Sequence, residues 1–241
     1  MKVAIISDIH GNLDAFGQVL IDIEAWGIDA VVCLGDNVGY GPEPEQVIRQ
    51  VRERNIPCVM GNHERAVLDG EYLNWFNPTA RRSLQQTMTL LSEESFDYIR
   101  GMKSSLVMYE SRFVHGFPPD SMNIYLFQVS KDTLEQTFRE MKERICFVGH
   151  THELKLIGFD GKISQYISLG KRTVTFHKDR KYIVNVGSVG QPRDRNNNAK
   201  YVIWNTSEDS LEVRFVPYDI AAVVSKIMAA GLPKVHADRL W

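Results

Sequence analysis

Aspartate and histidine residues stand in pairs with a one-residue gap at two distant points of the chain. Asp8 and His10 form one pair, His150 and His152 form the other, and each pair directly follows a short apolar run. Because alternate residues of an extended chain point to the same side, both side chains of a pair can face one point. Imidazole and carboxylate groups that converge in this way are ligands for divalent metal ions. The sequence therefore predicts a metal site assembled from opposite ends of the chain.

Other polar residues of the same kind also follow predicted strands, next to glycines. Together the candidate metal ligands are Asp8, His10, Asp36, Asn62, His115, His150 and His152. A single Asp or Asn in such a place is usually a turn former or helix cap, and a lone buried His is usually a core residue. The joint pattern favours a ligand set, because ligands bind at the carboxyl ends of strands in α/β sheets. His177 and His236 lie elsewhere and are interpreted as surface residues.

The donor types restrict the metal. Imidazole, carboxylate and amide oxygen without thiolate suit manganese, iron, zinc, nickel or cobalt. The candidate donors outnumber the four of a structural zinc site. They suit two ions that share one carboxylate about 3.5–4 Å apart, an arrangement of hydrolases that act at phosphorus. We therefore expect two divalent metal ions as cofactors.

The first 60 residues predict a β-α-β-α-β order. The strands are Val3–Ile6, Ala30–Leu34 and Pro57–Met60, and the helices run from about Asn12 to Gly27 and from Glu45 to Arg54. Continuous apolar strands that alternate with amphipathic helices indicate a largely parallel sheet that is buried on both faces.

The remaining chain predicts further helices and shorter strands. Helices are expected over 78–100 with a break near Ser92, over 131–142 and over 220–230. Strands are expected over 106–109, 112–115, 145–148, 154–159, 162–169, 181–186, 200–205 and 211–217. Because no repeat, low-complexity stretch or linker interrupts the chain, residues 1–241 are predicted to form one α/β domain. We expect two facing sheets with helices outside, and a helical cap and loop over the site within residues 72–127.

Composition narrows the classes of function. The fractions of charged and hydrophobic residues, 24% and 44%, are those of an ordinary globular protein. A net charge of −2 argues against nucleic-acid binding through a general basic surface. No apolar stretch reaches the roughly 18 residues of a membrane span, and the start lacks the apolar core of a signal peptide. Cys33, Cys58 and Cys146 each lie in an apolar run and are expected to be buried and reduced, which favours a cytoplasmic protein.

The order of the motifs resembles that of the calcineurin-like metallophosphoesterase superfamily. The motifs D-x-H, G-D, G-N-H-E, H-G and G-H-x-H correspond to Asp8/His10, Gly35-Asp36, Gly61–Glu64, His115-Gly116 and Gly149–His152. The likeness continues through Gly187–Asp194, a turn typical of compact prokaryotic members, so that it covers most of the chain.

This resemblance implies a four-layer α/β/β/α sandwich of two mixed sheets, with a dinuclear metal site at the carboxyl rim of the strands. One ion would be held by Asp8, His10 and His152. The other would be held by Asn62, His115 and His150. Asp36 would bridge the two ions.

The resemblance also implies the catalytic chemistry. His63 matches the histidine that is not a ligand but faces the phosphate. It would protonate the leaving oxygen or stabilise the transition state while a metal-bound hydroxide attacks in line.

One motif departs from part of the superfamily. Protein serine/threonine phosphatases and the bacterial dinucleoside tetraphosphatases similar to them carry G-D-x-V-D-R-G, whereas this chain has Gly39 and Tyr40 in place of the second Asp and the Arg. A phenol does not replace a bidentate guanidinium, so the departure disfavours protein phosphatase activity and favours the phosphodiesterase-like branch. Arg65 or Arg193 could bind the substrate instead, or could form a structural ion pair.

The resulting hypothesis is a phosphoesterase that acts on small phosphodiesters or phosphomonoesters, nucleotides among them. The alternatives are a non-catalytic metal-binding scaffold, a dinucleoside polyphosphate hydrolase or protein phosphatase-like enzyme, and a nuclease. The nuclease is disfavoured because the chain has little room for DNA-binding domains and no basic stripe.

Several residues permit more than one interpretation. The expected cap carries aromatic residues that could stack on a base or sugar or could seal the cap to the body: Trp75, Phe76, Tyr125 and Phe127. Arg81 and Arg82 could meet a distal phosphate or lie on a solvated helix face. The segment Leu232–Trp241, after an apolar helix, permits a homodimer.

Overall fold

A computed structural model describes all residues from Met1 to Trp241. The strands are β1 (Lys2–Ile6), β2 (Ala30–Cys33), β3 (Ser105–Met108), β4 (Ser111–Val114), β5 (Ile145–Val148), β6 (Leu154–Phe159), β7 (Ser164–Ile167), β8 (Val174–Thr175), β9 (Lys181–Val186), β10 (Ala199–Asn205) and β11 (Ser210–Val216). The helices are α1 (Leu13–Ala25), α2 (Pro44–Glu53), α3 (Asn62–Leu68), α4 (Pro78–Leu90), α5 (Glu93–Arg100), α6 (Lys131–Glu140), α7 (Ile220–Ala229) and α8 (Lys234–Asp238).

The strands form two mixed sheets. The five-stranded sheet has the order β2-β1-β10-β11-β8, in which only β1 and β2 pair in parallel. The six-stranded sheet has the order β3-β4-β5-β9-β6-β7, in which β4, β5 and β9 are parallel neighbours. In the five-stranded sheet the expectation of a largely parallel sheet was therefore wrong beyond β1 and β2, because the hairpin of β10 and β11 inserts antiparallel beside β1.

Alternation along β1 explains why the sheets form a sandwich. Val3 and Ile5 point into a hydrophobic core that includes Phe147 and Val184 of the facing sheet. Ala4 and Ile6 point the other way, into a second core that α1 and α2 complete. Because successive side chains of a strand face opposite sides, one apolar strand serves both layers.

A third core covers the outer face of the six-stranded sheet. Phe138 of α6 packs there with Cys146 of β5 and Ile183 of β9. The layers are therefore helix, sheet, sheet and helix, and the predicted four-layer α/β/β/α sandwich is confirmed.

The region predicted as a cap contains both helices and strands. Within residues 72–127, α4 and α5 pack with α3 in a small cluster that includes Leu84, Ile99 and Val67. The break at Ser92 is confirmed, since the Ser92 side chain accepts a hydrogen bond from the Ser95 N–H and caps α5. The hairpin β3–β4, in contrast, belongs to the six-stranded sheet.

Two elements differ from expectation. Pro57–Met60 is not a strand: Cys58 and Val59 make only isolated bridges, to Cys33 and Lys103, because a continuous ladder ends where the chain turns toward Gly61. After α7 the chain forms a further short helix, α8, that the sequence analysis did not predict. No helix has the length and apolar character needed to cross a membrane.

Candidate metal centre

Loops that leave β1, β2, β4 and β5 meet at one edge of the two sheets, and backbone hydrogen bonds join them. The Asp8 N–H donates to the Gly35 carbonyl (3.0 Å), and the Gly149 N–H donates to the His115 carbonyl (2.8 Å). The Gly190 N–H, from the loop after β9, donates to the Asp8 carbonyl (2.9 Å). These bonds fix the loops that carry the predicted ligands relative to one another.

Five of the seven predicted ligands have a left-handed backbone. Their φ angles lie between 50° and 68°, and the residues are Asp8, His10, Asp36, His150 and His152. This conformation costs a residue other than glycine about 1–2 kcal/mol. Strained residues persist only where the surrounding structure fixes them, and they gather at functional sites. The left-handed backbone at these residues directs their buried side chains toward the site.

One group of three side chains comes from the loops after β1 and β5. The Nε2 atoms of His10 and His152 lie 3.1 Å apart. Asp8 Oδ1 lies 3.3 Å from His152 Nε2 and 3.7 Å from His10 Nε2. All three side chains are buried, and their ligand atoms are close enough to hold one ion.

The second group lies beside the first. His115 Nε2 is 3.1 Å from His150 Nδ1 and 3.1 Å from Asn62 Oδ1. Asp36 connects the groups, since its Oδ2 lies 3.2 Å from His115 Nε2 and 3.8 Å from His10 Nε2. The structure therefore brings all seven predicted donors together, with Asp36 in the middle.

The outer ring nitrogens show which way the lone pairs point. Each of the four imidazoles places one nitrogen on a backbone carbonyl: His10 on Val38 (3.0 Å), His152 on Gln191 (2.6 Å), His115 on Leu34 (2.8 Å) and His150 on Asn123 (3.2 Å). A carbonyl only accepts, so that nitrogen carries the proton, and the other nitrogen of a neutral ring offers a lone pair to the site. Metal-binding histidines have this outer hydrogen bond. The residues therefore fit divalent metal ions.

The buried carboxylates dominate the charges of the site. Burial lowers the pKa of His150 to about 3 and that of His152 to about 4, so both rings are neutral at pH 7. Burial also acts to lower the pKa of His115, but the Asp36 carboxylate raises it to about 10. Burial acts to raise the pKa of Asp8, yet the neighbouring histidines hold it well below its usual value. The buried carboxylates thus remain anions that attract positive charge.

His63 belongs to neither of these two groups, but its ring nitrogen and ligand atoms of His10 and Asp36 all lie within 4.8 Å of one another. Its Nε2 is 3.9 Å from Asp36 Oδ2, and its ring packs edge-on against Tyr40 and Phe76. Its Nδ1 is buried without a hydrogen-bond partner. A Cβ atom at Gly39 would lie only 2.2 Å from this Nδ1. Gly39 therefore leaves room for the ring but supplies no acceptor.

Glu64 holds two of the ligand loops together, a role that the sequence analysis did not assign. Its carboxylate accepts hydrogen bonds from the backbone N–H groups of Asp36 (2.8 Å), Asn37 (2.6 Å) and Gly61 (3.0 Å). Glu64 is fully buried. The capping-box spacing of Gly61 and Glu64 is a sequence signal that could have indicated this role.

A cavity of about 390 Å³ opens above the donors. Its walls are mostly aromatic and amide side chains, and its one guanidinium is that of Arg193, which lies beside the Tyr40 hydroxyl. Three of the four aromatic residues predicted at the cap line it: Trp75, Phe76 and Tyr125. Phe127 does not line the cavity but stacks on Tyr125. The cap aromatics thus face the site rather than only sealing the cap to the body.

Two arginines lie elsewhere. Arg65 does not line the cavity, and its guanidinium pairs with Asp69 (2.9 Å). Arg81 donates to the carbonyls of Leu73 and Asn74, so it holds the turn before α4 instead of facing a phosphate or solvent.

His236 was wrongly interpreted as a surface residue. It is 1% exposed, and its ring packs against Tyr40 with centroids 4.6 Å apart. The spacing of Leu232, His236 and Leu240 is an i, i+4 pattern that could have placed it on the apolar face.

Known proteins share this sequence and fold. A family model described as a calcineurin-like phosphoesterase superfamily domain matches residues 1–209. An uncharacterized protein of Methanocaldococcus jannaschii is 34% identical over 99% of this chain and 97% of its own length. A crystal structure of a metallophosphoesterase from Sphaerobacter thermophilus has 32% identity and a TM-score of 0.84, covering 100% of this chain and 98% of that chain. A hypothetical protein from Pyrococcus horikoshii OT3 shares the fold, with 20% identity and a TM-score of 0.81 over 100% and 97% of the two chains.

The extent of the family match places the chain in a class. It belongs to the calcineurin-like phosphoesterase superfamily. The resemblance inferred from the motifs is confirmed, and the buried Asp and His clusters fit the divalent metal binding that the family implies.

Proposed function

We propose that the protein is a phosphoesterase that hydrolyses small phosphodiesters or phosphomonoesters with the help of two divalent metal ions. The observation that carries the proposal is the convergence of four imidazole nitrogens and two carboxylates, of which Asp36, His150 and His152 line one cavity. A scaffold that merely kept the fold would have no need of buried, strained donors beneath an open cavity.

The two groups of donors supply the proposed metal ligands. One ion would be held by Asp8, His10 and His152. The other would be held by Asn62, His115 and His150. Asp36 would serve both. When bound, such ions neutralise phosphate oxygens and supply an activated water at neutral pH.

His63 is proposed to act on the substrate rather than on a metal. Burial lowers its pKa well below the usual value, so the ring is neutral and carries one N–H. That ring lines the cavity beside Asp36, within reach of a phosphoryl group that sits over the donors. An N–H donated to a non-bridging or leaving oxygen stabilises the charge that develops there.

A phosphodiester is the preferred substrate in this proposal. Arg193 is the cavity's one cationic side chain, because burial lowers the pKa of each of its three lining histidines. Burial raises the pKa of Tyr40 to about 12, so its phenol is uncharged. A diester carries one negative charge at neutral pH and a monoester close to two, so this sparse positive charge suits the diester. We also infer a cytoplasmic setting, because all three cysteines are free thiols, with Cys33 and Cys146 buried as expected and Cys58 only partly buried.

Hydrolysis of bis-p-nitrophenyl phosphate and p-nitrophenyl phosphate tests the proposal. Metal-stripped protein is assayed after addition of manganese, nickel, zinc or magnesium. We expect metal-restored turnover that is faster on the diester, and a loss of about 10²–10⁴-fold in kcat for His63→Ala. His177→Ala, which removes an exposed histidine outside the site, should keep full activity. Absence of turnover with every metal would overturn the proposal in favour of a non-catalytic metal-binding scaffold.

A further inference from the structure

A second cavity, of about 360 Å³, adjoins the first and is rich in arginine. Arg193, Arg195 and Arg239 line it, together with Asn196, Asn197 and Trp241. Arg193 lines both cavities, so its side chain lies where the two meet. No acidic residue lines this second cavity, which we call the arginine groove.

The acidic residues next to these arginines in sequence do not neutralise them. Asp194, between Arg193 and Arg195, pairs with the Lys200 ammonium at 2.7 Å. Asp238, next to Arg239, pairs with Lys234 one helical turn away. None of the three arginines has a carboxylate within ion-pair distance. Their charges are therefore available to a ligand, and the arginines repel one another until an anion binds.

The loop that carries Arg193 and Arg195 is held in place by the buried side chain of Lys200. The Lys200 side chain is fully buried. Its ammonium also donates to the carbonyls of Asn196 (2.5 Å) and Asn198 (3.2 Å). The Arg193 N–H donates to the His152 carbonyl (3.1 Å), which joins the loop to the metal centre. Arg195 itself has a left-handed backbone, with φ of 61°. A fixed, strained loop that presents unpaired arginines has the properties of a prepared anion site.

We propose that the arginine groove binds a second phosphate group of the substrate, while the first phosphate lies over the metal centre. This inference rests on the proposed function and narrows the substrate class to compounds with two phosphates. Guanidinium groups bind phosphate through paired, charge-assisted hydrogen bonds. Arg193 lies between the two phosphates and contacts either. Trp241, which is 65% exposed, offers an indole face to the apolar part of the ligand.

Two esters that differ only in the distal phosphate test the inference. One is the p-nitrophenyl ester of thymidine 5′-phosphate, and the other is the same ester with an added 3′-phosphate. The 3′-phosphate should raise kcat/KM at least tenfold, and 0.5 M salt should weaken that advantage because it screens exposed charges. In Arg195→Gln/Arg239→Gln the advantage should fall to about twofold or less.

A matched double variant controls for the lost charge. Arg49→Gln/Arg172→Gln removes two exposed arginines that also lack carboxylate partners and line neither cavity. It should keep the full advantage of the 3′-phosphate. Equal kcat/KM for the two esters in the wild-type chain would overturn the inference, as would an advantage that survives in Arg195→Gln/Arg239→Gln.

Calorimetry separates this inference from the proposed function. Thymidine 3′,5′-bisphosphate should bind the manganese-loaded protein at least tenfold more tightly than thymidine 5′-phosphate, and the difference should disappear in Arg195→Gln/Arg239→Gln. If neither ester is hydrolysed, the proposed function fails while the binding comparison still decides on the groove. Equal affinity for the two nucleotides would refute the groove even in an active enzyme.

Discussion

Gly39 determines how His63 can sit in the site. Its φ of +85° suits glycine, and any Cβ there would collide with the His63 ring. Related phosphatases have an aspartate at this position, yet in this backbone conformation a larger residue would displace the histidine. The departure from the longer motif is therefore accommodated by the packing of His63 against Tyr40 and Phe76.

Gly39→Ala should lower kcat by about tenfold to a hundredfold, because small displacements of a catalytic group are costly. It should also reduce the free energy of unfolding by about 1–2 kcal/mol, the cost of a side chain at positive φ. Gly161→Ala is the matched control, since Gly161 has φ of +93° and open space around it. It should show the same loss of stability at unchanged kcat. Full activity of Gly39→Ala would contradict the placement of His63.

At the scale of single elements, Glu64 in α3 connects the loop after β2 to the start of its own helix. Glu64→Gln replaces one carboxylate oxygen by an NH₂ group that faces backbone donors. We expect a loss of about 1–3 kcal/mol in unfolding free energy and metal affinity weaker by about 10–100-fold. Urea unfolding and metal titration measure the two effects. Glu208→Gln, at an exposed turn, should change neither, and a metal affinity unchanged in Glu64→Gln would refute the role assigned to it.

Helix α1 is joined to β10 and β11 through one carboxylate. Asp22 accepts hydrogen bonds from the Tyr201 hydroxyl (2.8 Å) and from two nitrogens of Arg214 (both 3.0 Å). Burial acts to raise the pKa of Asp22, but these donors outweigh it and hold the pKa below its usual value. A carboxyl with a depressed pKa stabilises the folded state above the unfolded pKa of about 4 and loses that contribution as the pH falls further.

Asp22→Asn should therefore cost about 1–3 kcal/mol at pH 7, and the deficit should shrink as the pH falls below about 4. Urea unfolding of both proteins across this pH range, with a chelator present throughout, measures the difference. Asp120→Asn, at an exposed position, should show no loss of unfolding free energy at pH 7 or at lower pH. A deficit that stays constant with pH would show that the contact does not depend on the ionised carboxylate.

Most helices and strands could be predicted, because a buried element has a regular spacing of apolar residues in the local sequence. Apolar runs such as Ile145–Val148 and the cap at Ser92 depend on neighbours in sequence. Pro57–Met60 has the same apolar composition as a strand, but strand formation depends on partners that the composition does not reveal. Only isolated bridges form there.

At the scale of the whole molecule, motif spacing was enough to predict the candidate metal ligands. It did not predict the hydrogen bonds that their outer ring nitrogens make. The backbone carbonyls of Val38 and Gln191 orient His10 and His152. Any residue type has such a carbonyl, so the sequence does not indicate this role. His236 packs against Tyr40 although the two residues are far apart in the sequence. Contacts of this kind depend on tertiary packing. Sequence patterns therefore indicated the candidate ligands, but neither the arginine groove nor the packing of His236 against Tyr40.

The central claim is that the seven donors hold two metal ions that share Asp36. Anomalous diffraction from crystals grown with manganese tests it most directly. We predict two peaks per chain, one among Asp8, His10 and His152 and one among Asn62, His115 and His150. Both peaks should weaken in Asp36→Asn. A single peak, or peaks away from these residues, would contradict the account.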